Sequence, residues 1–493
     1  MIYKLSRLLL MLTLIVASVT SCSEDYPNYR GLVTYEKSGL YFNKWGESQT
    51  TTFKLDNVAN LELDYDYDDW TEGWDVELNF YQGTVKVTAP KEPTYDSSGN
   101  ITNQYCEVSI RGETHDGYSV YTTLTMGVVE YVYLDDEGRQ SNSIIVTEPG
   151  KFYVINASYK GEDDSATIEG IYDSKLIWSG GSTYRGFYSS VCHVQLLSPT
   201  QLAFYVDYDE EDLDNDGIED DIIHGNALVG VLDSSGEVLW SWHIWCRDEY
   251  PGEVTLNGTT FMDVNLGADI TCIENDSTIY HSYGLYYQWG RKDPFTQPLE
   301  YNASGGYDGI LYSDGTQVFL SYEESTSSVG TLEYATQNPM TYIYAEEDGY
   351  SDYDWLYSNQ HNENLWSDSA KSIYDPSPKG WRIPKSTDFD NLEMVTPLPD
   401  KATDADSQYG AYLTDGVTEA LFMGCGRRTY ITGRVSNINS NYFPWTGYYW
   451  TSTATVDDKS DCYKFDNLEL VELQHPAYRA NGMQIRCVKD TSN

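Results

Sequence analysis

Between Asp212 and Asp220 the chain reads Asp212-Leu213-Asp214-Asn215-Asp216-Gly217-Ile218-Glu219-Asp220, with side-chain oxygens at alternate positions and glycine at the sixth. A loop that wraps Ca2+ needs that spacing, because hard cations take several oxygens and the chain must turn sharply among them. Asp212, Asp214, Asp216 and Asp220 are the candidate ligands. The bidentate acid that closes a twelve-residue calcium loop is missing, since Ile223 stands there. The plainer reading is a solvated acidic turn in an acidic chain. If bound, the ion would stiffen the loop and perform no chemistry.

A second set of candidates is aromatic. The stretch from Pro298 to Trp366 is rich in Tyr, Ser, Gly, Asp and Glu, a composition suited to adaptable recognition loops. Tyr353, Trp355, Trp366 and Trp445 are the candidate ligand-binding side chains, against the alternative that they pack loops onto the domain. Catalysis has less support. No G-x-S-x-G, H-E-x-x-H, Walker loop or dinucleotide fingerprint occurs. His115, His193, His224, His243, His281, His361 and His475 are dispersed, and His243, between Trp242 and Ile244, reads as a hydrogen-bonded strand histidine. A glycoside hydrolase could draw paired carboxylates from 77 acids, so it stays as the lesser alternative to a binding protein that is not an enzyme.

Where these residues work depends on the first segment. Lys4 and Arg7 precede an apolar run from Leu8 to Val19, and small residues follow. Basic, apolar, small is the order of a secretory leader, here residues 1–21. About a dozen apolar residues cannot cross a hydrocarbon core that needs ~20. Val19-Thr20-Ser21-Cys22 resembles a bacterial lipobox, which implies cleavage before Cys22 and lipid on that cysteine. Ser23-Glu24-Asp25 resembles the surface-export signal of Bacteroidetes lipoproteins. The expected location is the outer membrane, lipid-anchored through the N-terminus and facing the cell exterior.

The net charge of -47 repels nucleic-acid phosphate, so no nucleic acid is expected as partner. With 40% hydrophobic and 14% aromatic residues the chain can nevertheless bury a core. Beyond Cys22 there remain Cys106, Cys192, Cys246, Cys272, Cys425, Cys462 and Cys487. They are odd in number and too sparse for a disulfide scaffold.

Residues 22–34 read as a tether carrying Arg30-Gly31. Over 35–130 the period is two: Trp74, Val76, Leu78 and Phe80, then Val85, Val87 and Ala89, then Cys106, Val108 and Ile110 alternate with polar residues. That predicts a small β-sandwich, and its strand pattern around Thr84–Pro90 resembles BACON and other immunoglobulin-like modules. Residues 131–247 carry further strands, with a hairpin from Ala227 to Trp245 turning at Asp233–Gly236. Gly225-Asn226-Ala227 and Leu239-Trp240-Ser241-Trp242-His243-Ile244-Trp245 resemble a segment of fimbrillin-like surface proteins.

In 248–493 the blocks Phe261–Ala268, Leu285–Arg291, Asp375–Pro384, Tyr449–Thr453 and Ile485–Val488 resemble, in order, the Fibrobacter succinogenes major paralogous domain. That resemblance implies a C-type-lectin-like α+β domain after two β-sandwiches, mainly β overall. It also implies a disulfide to Cys487 that this chain lacks, because Ser377 stands where the family has cysteine; Cys462 becomes an alternative partner. Asn257-Gly258 predicts a hairpin, Thr387 a helix cap, and Arg382 and Arg486 ion pairs with an acid such as Asp263. The sugar-reading triplets of calcium-dependent lectins are missing. The expected function is a surface-exposed, lipid-anchored adhesin or glycan-binding protein, its partner a glycan or a host or bacterial surface ligand. The alternative is a fimbria-associated structural subunit cut after Arg30.

Overall fold

The computed structural model describes residues 31–37, 39–64, 73–97, 101–134, 141–181, 190–208, 222–268, 279–296, 298–302, 305–308, 311–313, 316–345, 353–396, 409–438, 445–455 and 459–491. The chain is mainly β. It divides into two compact units, Met1–Tyr131 and Val132–Asn493.

The first unit is the sandwich expected from the period-two pattern. One sheet runs in the order Leu32–Tyr35, Ser48–Asp56, Thr84–Thr88, Asp75–Asn79; the other runs Gly39–Phe42, Ser119–Val128, Tyr105–Thr114, Val58–Leu63. Alternate residues face inward because successive side chains of a strand point to opposite faces. Val85, Val87, Val108, Ile110 and Leu124 are fully buried between the sheets. Gly112 lies where a Cβ would come within 2.0 Å of the Asn60 carbonyl oxygen, so only glycine lets these strands approach there.

The second unit contains another sandwich. Its six-stranded sheet has the order Ser143–Val146, Val238–Cys246, Gly225–Leu232, Asp173–Gly181, Leu311–Ser313, Thr316–Val318. A four-stranded sheet, Val191–Ser198, Gln201–Val206, Lys151–Asn156 and Tyr131–Tyr133, covers it. Trp240, Trp242, Ile155, Leu202 and Phe204 fill the space between. The hairpin expected from Ala227 to Trp245 is present, with the Asp233 carboxylate accepting from the Ser235 and Glu237 amides at 2.8 and 3.0 Å.

A boundary at 247/248 is not observed. Leu311–Ser313 and Thr316–Val318, from beyond it, complete the six-stranded sheet. Ile145 and Trp245 share a core with Leu266, Trp289, Trp355 and Ile485, and Trp178 and Leu228 share another with Tyr286 and Cys425. The modules expected at 131–247 and 248–493 are one body, because neither buries its large apolar side chains alone.

Within 248–493 several small sheets surround these cores. The Asn257-Gly258 hairpin forms, both residues with positive φ (47° and 85°), as a tight two-residue connection requires. The described residues here hold one α-helix, Leu332–Gln337, capped by the Thr331 side chain. The helix expected after Thr387 is a 3-10 turn, Ser386–Phe389, and the Asp388 carboxylate, not Thr387, holds its start by accepting from the Lys385 amide at 2.7 Å. Arg382 pairs with Asp388 at 2.8 Å, and Arg486 donates to Asn265 Oδ1 and to the carbonyls of Met262 and Leu421, so Asp263 is partner to neither. Cys462 and Cys487 are free thiols, as are Cys192 and Cys425. Cys487 Sγ lies 3.5 Å from Ser377 Oγ, the position at which the family resemblance puts a cysteine.

Candidate functional site

Tyr353 has φ of +63°, a left-handed conformation that costs a residue with a Cβ about 1–2 kcal/mol. Two half-buried tyrosines from distant segments meet it. Tyr430 lies in the turn between strands Cys425–Arg428 and Val435–Ile438, and Tyr478 ends the strand Val471–Tyr478. Ring centroids are 5.2 Å apart for Tyr353 and Tyr430, 4.3 Å for Tyr353 and Tyr478, and 4.9 Å for Tyr430 and Tyr478. Lys459 Nζ stands 5.1 Å from the Tyr478 centroid.

The backbone beneath is over-determined. Asn481, fully buried, accepts from the Tyr430 amide at 3.1 Å and donates to the Tyr478 carbonyl at 2.9 Å. The Ala480 amide donates to the Tyr353 carbonyl at 3.1 Å, and the Ala345 amide to that of Tyr430 at 2.8 Å. Below lies the buried pair Arg479–Asp354 at 3.6 Å, with the guanidinium 4.5 Å from the Trp289 ring centroid. Arg479 also donates to Ser460 Oγ and the Lys459 carbonyl, both at 3.1 Å. Such bonds are needed to offset the desolvation of a buried charge. The result is a small aromatic surface on a rigid polar and aromatic base.

Of the four aromatic candidates, only Tyr353 belongs to this surface. Trp355, Trp366 and Trp445 are core residues with at most 1% exposure, which leaves no ring face for a ligand. Trp355 Nε1 donates to the Trp289 carbonyl and Trp366 Nε1 to the Tyr374 carbonyl, at 2.8 and 2.9 Å. Trp445 packs against Phe465 and lies over Gly424, where a Cβ would approach its ring to 2.4 Å. Tyr430 and Tyr478 escaped the sequence reading because nothing in their spacing links them to Tyr353. The candidate calcium ligands Asp212, Asp214, Asp216 and Asp220, the lipidation candidate Cys22 and Arg30 lie outside the described residues. Among the described residues no group of three or more His, Cys, Asp or Glu is placed to hold a metal, and no helix is long and apolar enough to cross a membrane.

Two buried polar clusters look chemical but are sealed. His243 lies between Ser143 Oγ and Asn226 Oδ1, each 2.8 Å from a ring nitrogen, and burial pushes its imidazole down to about 3. That neutral histidine ties the strand Ser143–Val146 to both arms of the Gly225–Cys246 hairpin, as its strand setting suggested. Lys292, Asp293 and Ser241 form the other, with Lys292 Nζ 4.5 Å from the Trp240 ring centroid and burial lowering its basicity. Ser143, Ser241, Lys292 and Asp293 are each at most 3% exposed, so no substrate reaches them.

No family model matches the chain, and no curated protein does. Among solved structures, the BIgI domain of beta protein from S. agalactiae, bound to CEACAM1, is 14% identical, with 20% of this chain and 96% of that one covered and a TM-score of 0.14. The SrpA adhesin from Streptococcus sanguinis is 14% identical over 27% of this chain and 70% of that one, TM-score 0.16. SGBP-B of the Bacteroides ovatus mixed-linkage glucan utilization locus, in complex with a mixed-linkage heptasaccharide, is 10% identical over 48% of each chain, TM-score 0.12. Likeness at this level carries no functional argument.

Proposed function

We propose that the chain is an outer-membrane lipoprotein, anchored through Cys22 and facing the cell exterior, that binds a surface ligand as an adhesin or glycan-binding protein and performs no catalysis. The leader and the lipobox-like residues support the location. The tyrosine surface supports the activity, and the observation that carries it is the left-handed Tyr353 held against two half-buried rings. Strain of this kind persists only where surrounding bonds impose it, and it gathers at ligand-contacting positions.

The test is binding of the full mature chain to arrayed glycans and to host and bacterial surface preparations. Tyr430→Ala and Tyr478→Ala each lower affinity about tenfold, near the 1.4 kcal/mol of one aromatic contact, while the melting profile keeps its midpoint within a few degrees. Unchanged binding by both variants contradicts the assignment of the site.

A further inference from the structure

We infer that the Tyr353–Tyr430–Tyr478 surface takes a neutral pyranose chain, one sugar ring stacked on the outer face of the tyrosine cluster. The inference rests on the binding reading above and names its ligand class. Geometry decides between a cage and a platform. An aromatic cage for a methylated ammonium needs rings standing apart with the cation between them. Here the centroids are only 4.3–5.2 Å from one another, so the rings touch and nothing fits among them. What remains for a ligand is the outer side, where the Tyr353 and Tyr478 planes lie 33° apart and Tyr430 stands edge-on to both, at 86° and 64°; a tyrosine offers an apolar ring face and a phenol hydroxyl. A pyranose presents matching groups: axial C–H bonds on one face and hydroxyls around the rim, each able to donate and accept.

Size and charge narrow the ligand further. Three tyrosines, at roughly 150–250 Å² for each whole ring and each more buried than exposed, offer on the order of 100–200 Å². A stable protein partner needs about 800 Å² from each side, whereas one sugar ring fits. A polyuronate or sulfated chain meets a protein of net charge -47, and that repulsion acts before any contact forms. Among the described residues Lys459 is the one cation over a ring of the cluster, 5.1 Å from the Tyr478 centroid. It can donate to a sugar hydroxyl, but it does not reverse the field.

The experiment is affinity electrophoresis of the full mature chain through gels holding konjac glucomannan, xyloglucan or polygalacturonate, each with Tyr430→Ala, Tyr478→Ala and Tyr478→Phe. The expected result is retardation by at least one neutral polymer, lowered about tenfold in affinity by either alanine variant and kept by Tyr478→Phe. Tyr478→Phe preserves the packed ring, so its behaviour separates loss of stacking from loss of fold. Polygalacturonate leaves mobility unchanged. Tyrosine-dependent retardation by polygalacturonate alone overturns the ligand class and keeps the binding site. Retardation indifferent to both alanine variants overturns the site itself. No retardation in any gel overturns the inference while leaving an adhesin reading intact.

Discussion

Ser377 and Cys487 show how one residue change is read in three dimensions. The family resemblance placed a cysteine at 377, and the fold brings Ser377 Oγ to 3.5 Å from Cys487 Sγ across 110 residues of sequence. Ser377→Cys should therefore close a disulfide on export to an oxidising compartment. Mass analysis without reductant should show two hydrogens lost. The bridge should add up to about 4.7 kcal/mol, the ceiling for a loop near 100 residues; a persistent pair of free thiols contradicts the juxtaposition. His243 gives a second prediction. Its folded imidazole is held at about 3 against an ordinary 6.5, so below pH 6.5 the unfolded chain takes up a proton that the folded chain refuses. The contribution is therefore complete above that pH and is lost as pH falls toward 3. Between pH 7 and 5 the native chain should lose about 2 kcal/mol more than His243→Gln in denaturant titrations. Equal losses would mean that His243 is not kept neutral by burial.

Strands were legible where one face is wet and one dry. Val76, Val85, Val87, Val108 and Ile110 fell where alternation put them, and the turns at Asn257-Gly258 and Asp233–Gly236 matched their residue chemistry. The short helix after Thr387 was misread because Asp388 competes for the Lys385 amide and the segment closes after one 3-10 turn. The three tryptophans were misread for a related reason. Loop composition suggests recognition, but it does not reveal which rings the fold draws inward. The first strand bears on the fimbrial alternative: Leu32–Tyr35 pairs in register with Phe53–Asp56, and a Cβ at Gly31 would come within 2.7 Å of Val120. A cut after Arg30 would leave that strand in place. At the same scale, Gly112→Ala pushes a Cβ into the Asn60 carbonyl and should cost a few kcal/mol, in the range of overpacked cores. Calorimetry should show the loss in the transition of the first unit, with the second unmoved. A shift confined to the second transition would contradict the placement of Gly112 in the first unit's core.

At the scale of the molecule, composition read as a folded, acidic chain, and the period-two alternation read as a mainly β one, as observed. The join between 131–247 and 248–493 was invisible, since strands Leu311–Ser313 and Thr316–Val318 complete a sheet begun well before them. Short-range pattern carries no information on such long-range pairing. Residues 248–493 expressed alone should consequently lack a cooperative unfolding transition, while 132–493 should show one; cooperative unfolding of the shorter fragment would restore the boundary. The tyrosine surface is likewise a product of the whole body, assembled from three segments that no local signal connects. The decisive measurement is hydroxyl-radical footprinting of the full mature chain with and without saturating glucomannan. Oxidation of Tyr353, Tyr430 and Tyr478 should fall on binding while the exposed Tyr172 and Tyr250 are unchanged. Protection elsewhere, with those three tyrosines still oxidised at their free rates, would contradict the tyrosine site.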